Sequence, residues 1–84
     1  KRFLKILKMS KYIIYSKQRC SYCVAAKSLL RGKNLDFEEK MVDESVNNLN
    51  EMRLKAPDMR TLPVIFFNDH LVGGYHELLT YLNE

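Results

Sequence analysis

Tryptophan is missing from this chain, and cysteine, proline and glycine are scarce: two, two and three in 84 residues. Two cysteines at Cys20 and Cys23 cannot build the disulfide framework of a small secreted scaffold. A close pair of this kind is catalytic, redox-sensing or metal-binding, and it points to a reducing compartment, with the cytoplasm as the expected setting. So little Gly and Pro excludes collagen-like and low-complexity chains. Long apolar runs are absent from residues 1–8 as well, where no apolar stretch exceeds two residues. That pattern has neither a signal-peptide core nor a membrane span, so no membrane partner is expected.

What is present reads as one small domain: 46% hydrophobic and 29% charged residues suit an ordinary globular core. A domain of this size buries only about 60–65% of the surface that its unfolded chain exposes, so any ligand must bind at the surface. The formal charge is +4, from 14 basic and 10 acidic residues. Lys1, Arg2, Lys5 and Lys8 supply all of it, since their removal leaves 10 bases against 10 acids. Nucleic-acid binders cluster their bases over a structured face, so no nucleic-acid partner is expected. We read 1–10 as a basic extension and 11–84 as the domain.

Residues 11–16, Lys-Tyr-Ile-Ile-Tyr-Ser, are rich in strand formers. Helical spacing follows in Val24 or Ala25, Ala26, Leu29 and Leu30, and Gly32 suits a left-handed position after the last turn. Leu35, Phe37 and Met41 alternate with polar residues as a half-buried strand does, although Glu39 falls on the apolar phase. Asp43, Glu44 and Ser45 offer capping groups to a weaker helix carrying Val46, Leu49, Met52 and Arg53, which Ala56-Pro57 ends. Residues 63–67 are almost wholly apolar, as in a central strand. The turn pair Asn68-Asp69 returns the chain through 70–72, Gly73-Gly74 interrupts, and 75–83 read as a last helix. The order is β-α-β-α-β-β-α.

Cys20 and Cys23 stand where the first strand hands over to the first helix. Unpaired N–H groups and the helix dipole stabilise an anion there, so a thiol at that tip ionises readily. Lys17 and Arg19 act in the same direction. Cys20, at the tip, should be the nucleophile, and Cys23, further in, the resolving thiol. A zinc site would pair these cysteines with His70 and His76, but 46 residues separate the two halves where a finger has about 12. Thr61-Leu62-Pro63 opens the central strand and Gly73-Gly74 opens the last helix. The glycines allow close backbone approach, and the helix start offers N–H groups to a carboxylate.

Taken in order, Tyr15-Ser-Lys17, Cys20-Ser-Tyr-Cys23, Thr61-Leu-Pro63 and Gly73-Gly-Tyr75 resemble the glutaredoxin family at that family's spacing. The resemblance implies an α/β, thioredoxin-like fold: a four-stranded mixed sheet, helices on both faces, and a cis proline at Pro63 facing the cysteines. It implies a monomeric enzyme that reduces protein disulfides and glutathione mixed disulfides with glutathione as co-substrate. Ribonucleotide reductase is among the partners that it suggests. It carries Cys20 over as attacking thiolate and Cys23 as resolving thiol, and puts Lys17 and Tyr22 in a glutathione groove. Leu62, between Thr61 and Pro63, would pair backbone to backbone with the tripeptide. Gly74, Tyr75 and His76 would receive its γ-glutamyl end, and Arg60 a carboxylate. Ser21 stands where many dithiol members have Pro; some members with this Ser-Tyr pairing hold a two-iron two-sulfur cluster between two subunits, which gives the alternative reading of a cluster-carrying dimer on Cys20. His76 and Glu77 also depart from the family's usual residues.

Overall fold

The computed structural model describes residues 11–83. The basic extension, 1–10, and Glu84 lie outside the described residues. Seven elements follow in the expected order: β1 (Tyr12–Ser16), α1 (Ser21–Gly32), β2 (Phe37–Met41), α2 (Val46–Lys55), β3 (Val64–Phe67), β4 (His70–Gly73) and α3 (Tyr75–Leu82).

The sheet order is β2-β1-β3-β4. β1 runs parallel to β2 across the α1 crossover and antiparallel to β3, and β3 forms an antiparallel hairpin with β4. Successive strand residues face opposite sides, so the two central strands feed two cores. Tyr12 and Ile14 of β1 join Ile65 of β3 under α1 and α3, with Ala26, Leu30 and Leu78. Tyr15 joins Val64 and Phe66 on the other face, where Ala56, Leu49 and Met52 cover them from α2 and its end. Because β1 and β3 are antiparallel neighbours, the end of β1 delivers the cysteines and the start of β3 delivers the Leu-Pro bend to the same end of the sheet.

Two expectations are corrected. Gly32 does not take the left-handed position; it is the last residue of α1, Lys33 caps at φ −101°, and Asn34 adopts φ 58°. Asparagine tolerates that region better than most residues. Val46 does not turn inward and is 72% exposed at the start of α2, where Ser45 Oγ accepts the Asn48 N–H at 3.1 Å as the helix cap.

Glu39 on the apolar phase of β2 also has a reason. It accepts hydrogen bonds from Ser16 Oγ and from Lys27 Nζ, the latter at 2.7 Å, so a carboxylate fastens α1 to the end of β1. Partial burial pushes this carboxyl up, but the Lys27 and Ser16 bonds outweigh it and hold it below the ordinary carboxylate range. A matching device on the opposite face joins the Tyr15 hydroxyl and Lys40 Nζ to Glu51 of α2.

Candidate active site

Cys20 caps α1. Its backbone is extended, with φ −120° and ψ 103°, and its Sγ accepts the Cys23 N–H at 3.2 Å. The helix therefore aims one of its unpaired amides at this sulfur, as the strand-to-helix position leads one to expect. Cys20 is half-buried, whereas Cys23 is only 1% exposed. The two are joined in a disulfide. Beyond them, the Leu62 carbonyl oxygen lies 3.8 Å from Cys20 Sγ, and the Leu62–Pro63 peptide is cis.

Leu62 also lines a hollow of about 240 Å³. Tyr22, Thr61, Leu62, Pro63, Gly74, Tyr75 and His76 all line it, which brings together seven of the residues that the sequence assigns to a ligand groove. Tyr22 reaches across from α1 to stack on Tyr75, with ring centroids 5.7 Å apart and planes at 26°. It also meets the His76 ring edge-on at 5.3 Å. The hollow thus has an aromatic wall shared by two helices. Lys17 and Arg60 are not in the lining. Lys17 is exposed on the loop that leads to Cys20, and Arg60 lines a neighbouring, larger hollow.

Glu77 is the residue that the sequence reading left out of the hollow. Its Oε1 accepts the Gly74 N–H at 2.9 Å, and this bond holds the carboxyl below its ordinary range. The spacing was the available signal: an acidic residue three places after a helix N-cap reaches back to the cap's amide. The Gly74 and Glu77 N–H groups are therefore held by the chain's own carboxylate, leaving the Tyr75 and His76 amides of the first turn, which have no intrahelical carbonyl to bond.

The histidines do not join the cysteines. His70 stacks on Tyr81 at 5.9 Å, while His76 lies on the aromatic wall. Among the described residues no three His, Cys, Asp or Glu side chains gather as metal ligands, and no helix is long and apolar enough to cross a membrane.

The glutaredoxin family model matches residues 12–72. This chain belongs to the glutaredoxin family. It is 36% identical over 70 residues to glutaredoxin 3 of Escherichia coli K12, a match covering 83% of each protein. A probable glutaredoxin of Synechocystis is 38% identical over 69 residues, 82% of this chain and 63% of that protein. Among solved structures, glutaredoxin 1 of Francisella tularensis complexed with cacodylate superposes with a TM-score of 0.69 at 28% identity, over 88% of this chain and 98% of that one. The dithiolic glutaredoxin 2-C-Grx1 of Trypanosoma brucei brucei gives 0.74 at 28% identity, over 94% and 84%. The glutaredoxin fold here is thioredoxin-like, and a glutaredoxin with a paired Cys20 and Cys23 is a thiol-disulfide oxidoreductase.

Proposed function

We propose that this glutaredoxin is glutathione-dependent and reduces protein disulfides and glutathione mixed disulfides from Cys20. The observation that carries the reading is the Cys23 amide directed at Cys20 Sγ from 3.2 Å, because an N–H dipole at the helix tip favours the thiolate over the thiol. In the reduced protein the Cys20 thiolate attacks one sulfur of the substrate disulfide. The new Cys20–sulfur bond forms as the old disulfide bond breaks, and the departing thiolate takes a proton from water.

Two routes then regenerate the thiolate. Where the mixed disulfide is Cys20–glutathione, a glutathione thiolate attacks its glutathione sulfur and leaves as oxidised glutathione; where it is Cys20–protein, the Cys23 thiolate attacks Cys20, releases the protein thiolate and closes the Cys20–Cys23 disulfide, which two glutathione molecules reopen. Either way glutathione supplies two electrons per substrate disulfide.

The aromatic-walled hollow supports a small peptide thiol as reductant. Tyr22 and Tyr75 offer faces, Thr61, Leu62 and Pro63 a backbone bend, and Gly74, Tyr75 and His76 the start of a helix facing an anionic end. Lys17, exposed on the loop before Cys20, is the cation offered to the other carboxylate. The reading includes a monomer working in the cytoplasm, with ribonucleotide reductase among its disulfide partners.

Serine replacement tests the roles. With a glutathione mixed disulfide and glutathione reductase as coupling enzyme, Cys20→Ser should abolish turnover while Cys23→Ser keeps it; the reverse result refutes the assignment. Visible absorbance and dimers in freshly purified protein would favour the cluster-carrying reading instead.

A further inference from the structure

On the other side of the Thr61-Leu62 bend lies a second hollow, of about 560 Å³. Its floor is apolar, made by Val42 beyond β2, Leu49 and Met52 of α2, Ala56, and Met59 of the following loop. Its rim carries Arg53 and Arg60, both exposed. Among the described residues neither arginine is in an ion pair, and the lining contains no carboxylate; Asp58, the nearest acid in the loop, is not part of it.

Two relationships define what fits there. Thr61 and Leu62 wall both hollows, and the Leu62 carbonyl is 3.8 Å from Cys20 Sγ. An extended chain advances about 3.3 Å per residue, so a polypeptide whose disulfide is exchanged at Cys20 and that runs past Leu62 enters the larger hollow within a few residues. The second relationship is charge. Two guanidinium groups without counter-ions over an apolar floor complement a segment that presents a large apolar side chain beside carboxylates. Met52 and Met59 adapt their shape to different apolar side chains.

We propose that this hollow seats the polypeptide side of the substrate: an extended stretch, a few residues from the attacked cysteine, with a large apolar side chain next to Asp or Glu. The proposal rests on the exchange reaction at Cys20 described above and adds the sequence class of the protein that undergoes it.

Three glutathionylated peptides test it, alike except that the cysteine is flanked by Glu-Leu-Glu, Lys-Leu-Lys or Glu-Ser-Glu, with the mixed disulfide of glutathione and 2-mercaptoethanol as the small reference. The acidic leucine peptide should show kcat/KM about tenfold above the other two, a difference typical of one buried apolar anchor with charge complementarity. Arg53→Glu should remove that preference and leave the small disulfide's turnover unchanged. A cysteine-free version of the acidic leucine peptide, with Ser in place of Cys, should shift the Met52 and Met59 methyl resonances. Equal kcat/KM for the three peptides, a preference that survives Arg53→Glu, or unmoved methyl signals would overturn the proposal. Failure of the small disulfide to react would instead defeat the exchange reading, and the methyl titration would then decide the hollow separately.

Discussion

Gly73 and Glu77 leave no room between them: a Cβ added to Gly73 would stand 2.8 Å from both Cβ and Cγ of Glu77. The same glycine has φ +124°, a conformation that side chains rarely adopt. Gly73→Ala should therefore lose about 1–3 kcal/mol from backbone strain and crowding, read from urea unfolding. Gly32→Ala is the contrast. Nothing lies within 4 Å of its added Cβ and the residue is helical, so it should gain about 0.5–1 kcal/mol. Equal responses at the two glycines would show that the crowding is not felt.

Glu77 presents a second test. Its carboxylate occupies the Gly74 N–H and faces the same hollow that is proposed to hold glutathione. Glu77→Gln keeps an oxygen acceptor for the cap and removes the charge, so the KM for glutathione should fall about threefold, as expected when one screened like charge is taken away at the surface. Glu77→Ala should also lower thermal stability slightly, because the cap itself is lost. A KM that rises in Glu77→Gln would mean that the carboxylate helps hold the tripeptide.

Acid should unfasten the two carboxylate links. The Glu51 carboxyl is held low chiefly by the Lys40 hydrogen bond and then by Tyr15, and Glu39 is held low on balance by Lys27 and Ser16. A depressed folded pKa contributes stability that is in place above the unfolded value of about 4.3 and drains as pH falls through the lower folded value. Urea midpoints measured from about pH 7 down to about pH 3 should fall along this limb, and Glu39→Gln or Glu51→Gln should flatten it. Parallel limbs in wild type and both variants would remove these links from the account.

Tyr15 shows the opposite sign. Burial, followed by its bond to Glu51, pushes the phenol well above its ordinary range. The stability tied to its neutral form is present below the unfolded value of about 10 and is lost only as pH rises toward the folded value. Tyr15→Phe should cost about 1–2 kcal/mol for the lost part-buried hydrogen bond while leaving turnover intact. A variant as stable as the parent would show that Lys40 alone satisfies Glu51.

Much of this molecule was legible because its signals are local. Strand-forming residues in 11–16 and the apolar run of 63–67 marked two central strands, and a cysteine pair between a strand and a helical period marked the tip of α1. The seven residues that line the smaller hollow each belong to a motif readable within a few positions, and those motifs meet only because β1 and β3 are neighbours. What stayed hidden depends on partners far along the chain. Glu39 looked misplaced until Lys27 and Ser16 were seen to face it. Arg60 lies away from the groove, across Thr61 and Leu62, on a hollow whose floor comes from Val42 after β2, from α2 and from the loop that follows it. Gly32 yielded its role to Asn34 because α1 runs to the glycine itself. Val46 is exposed because Leu49 and Met52 already fill that face of the sheet.

The unequal depth of the paired sulfurs gives the proposed chemistry a direction. With Cys23 sealed beneath its neighbour, electrons enter and leave the protein through one outward atom. A bulky oxidant or alkylating reagent meets only that atom, and the inner thiol takes part once a mixed disulfide already stands above it. Traffic at this centre is thus kept in single file by packing alone.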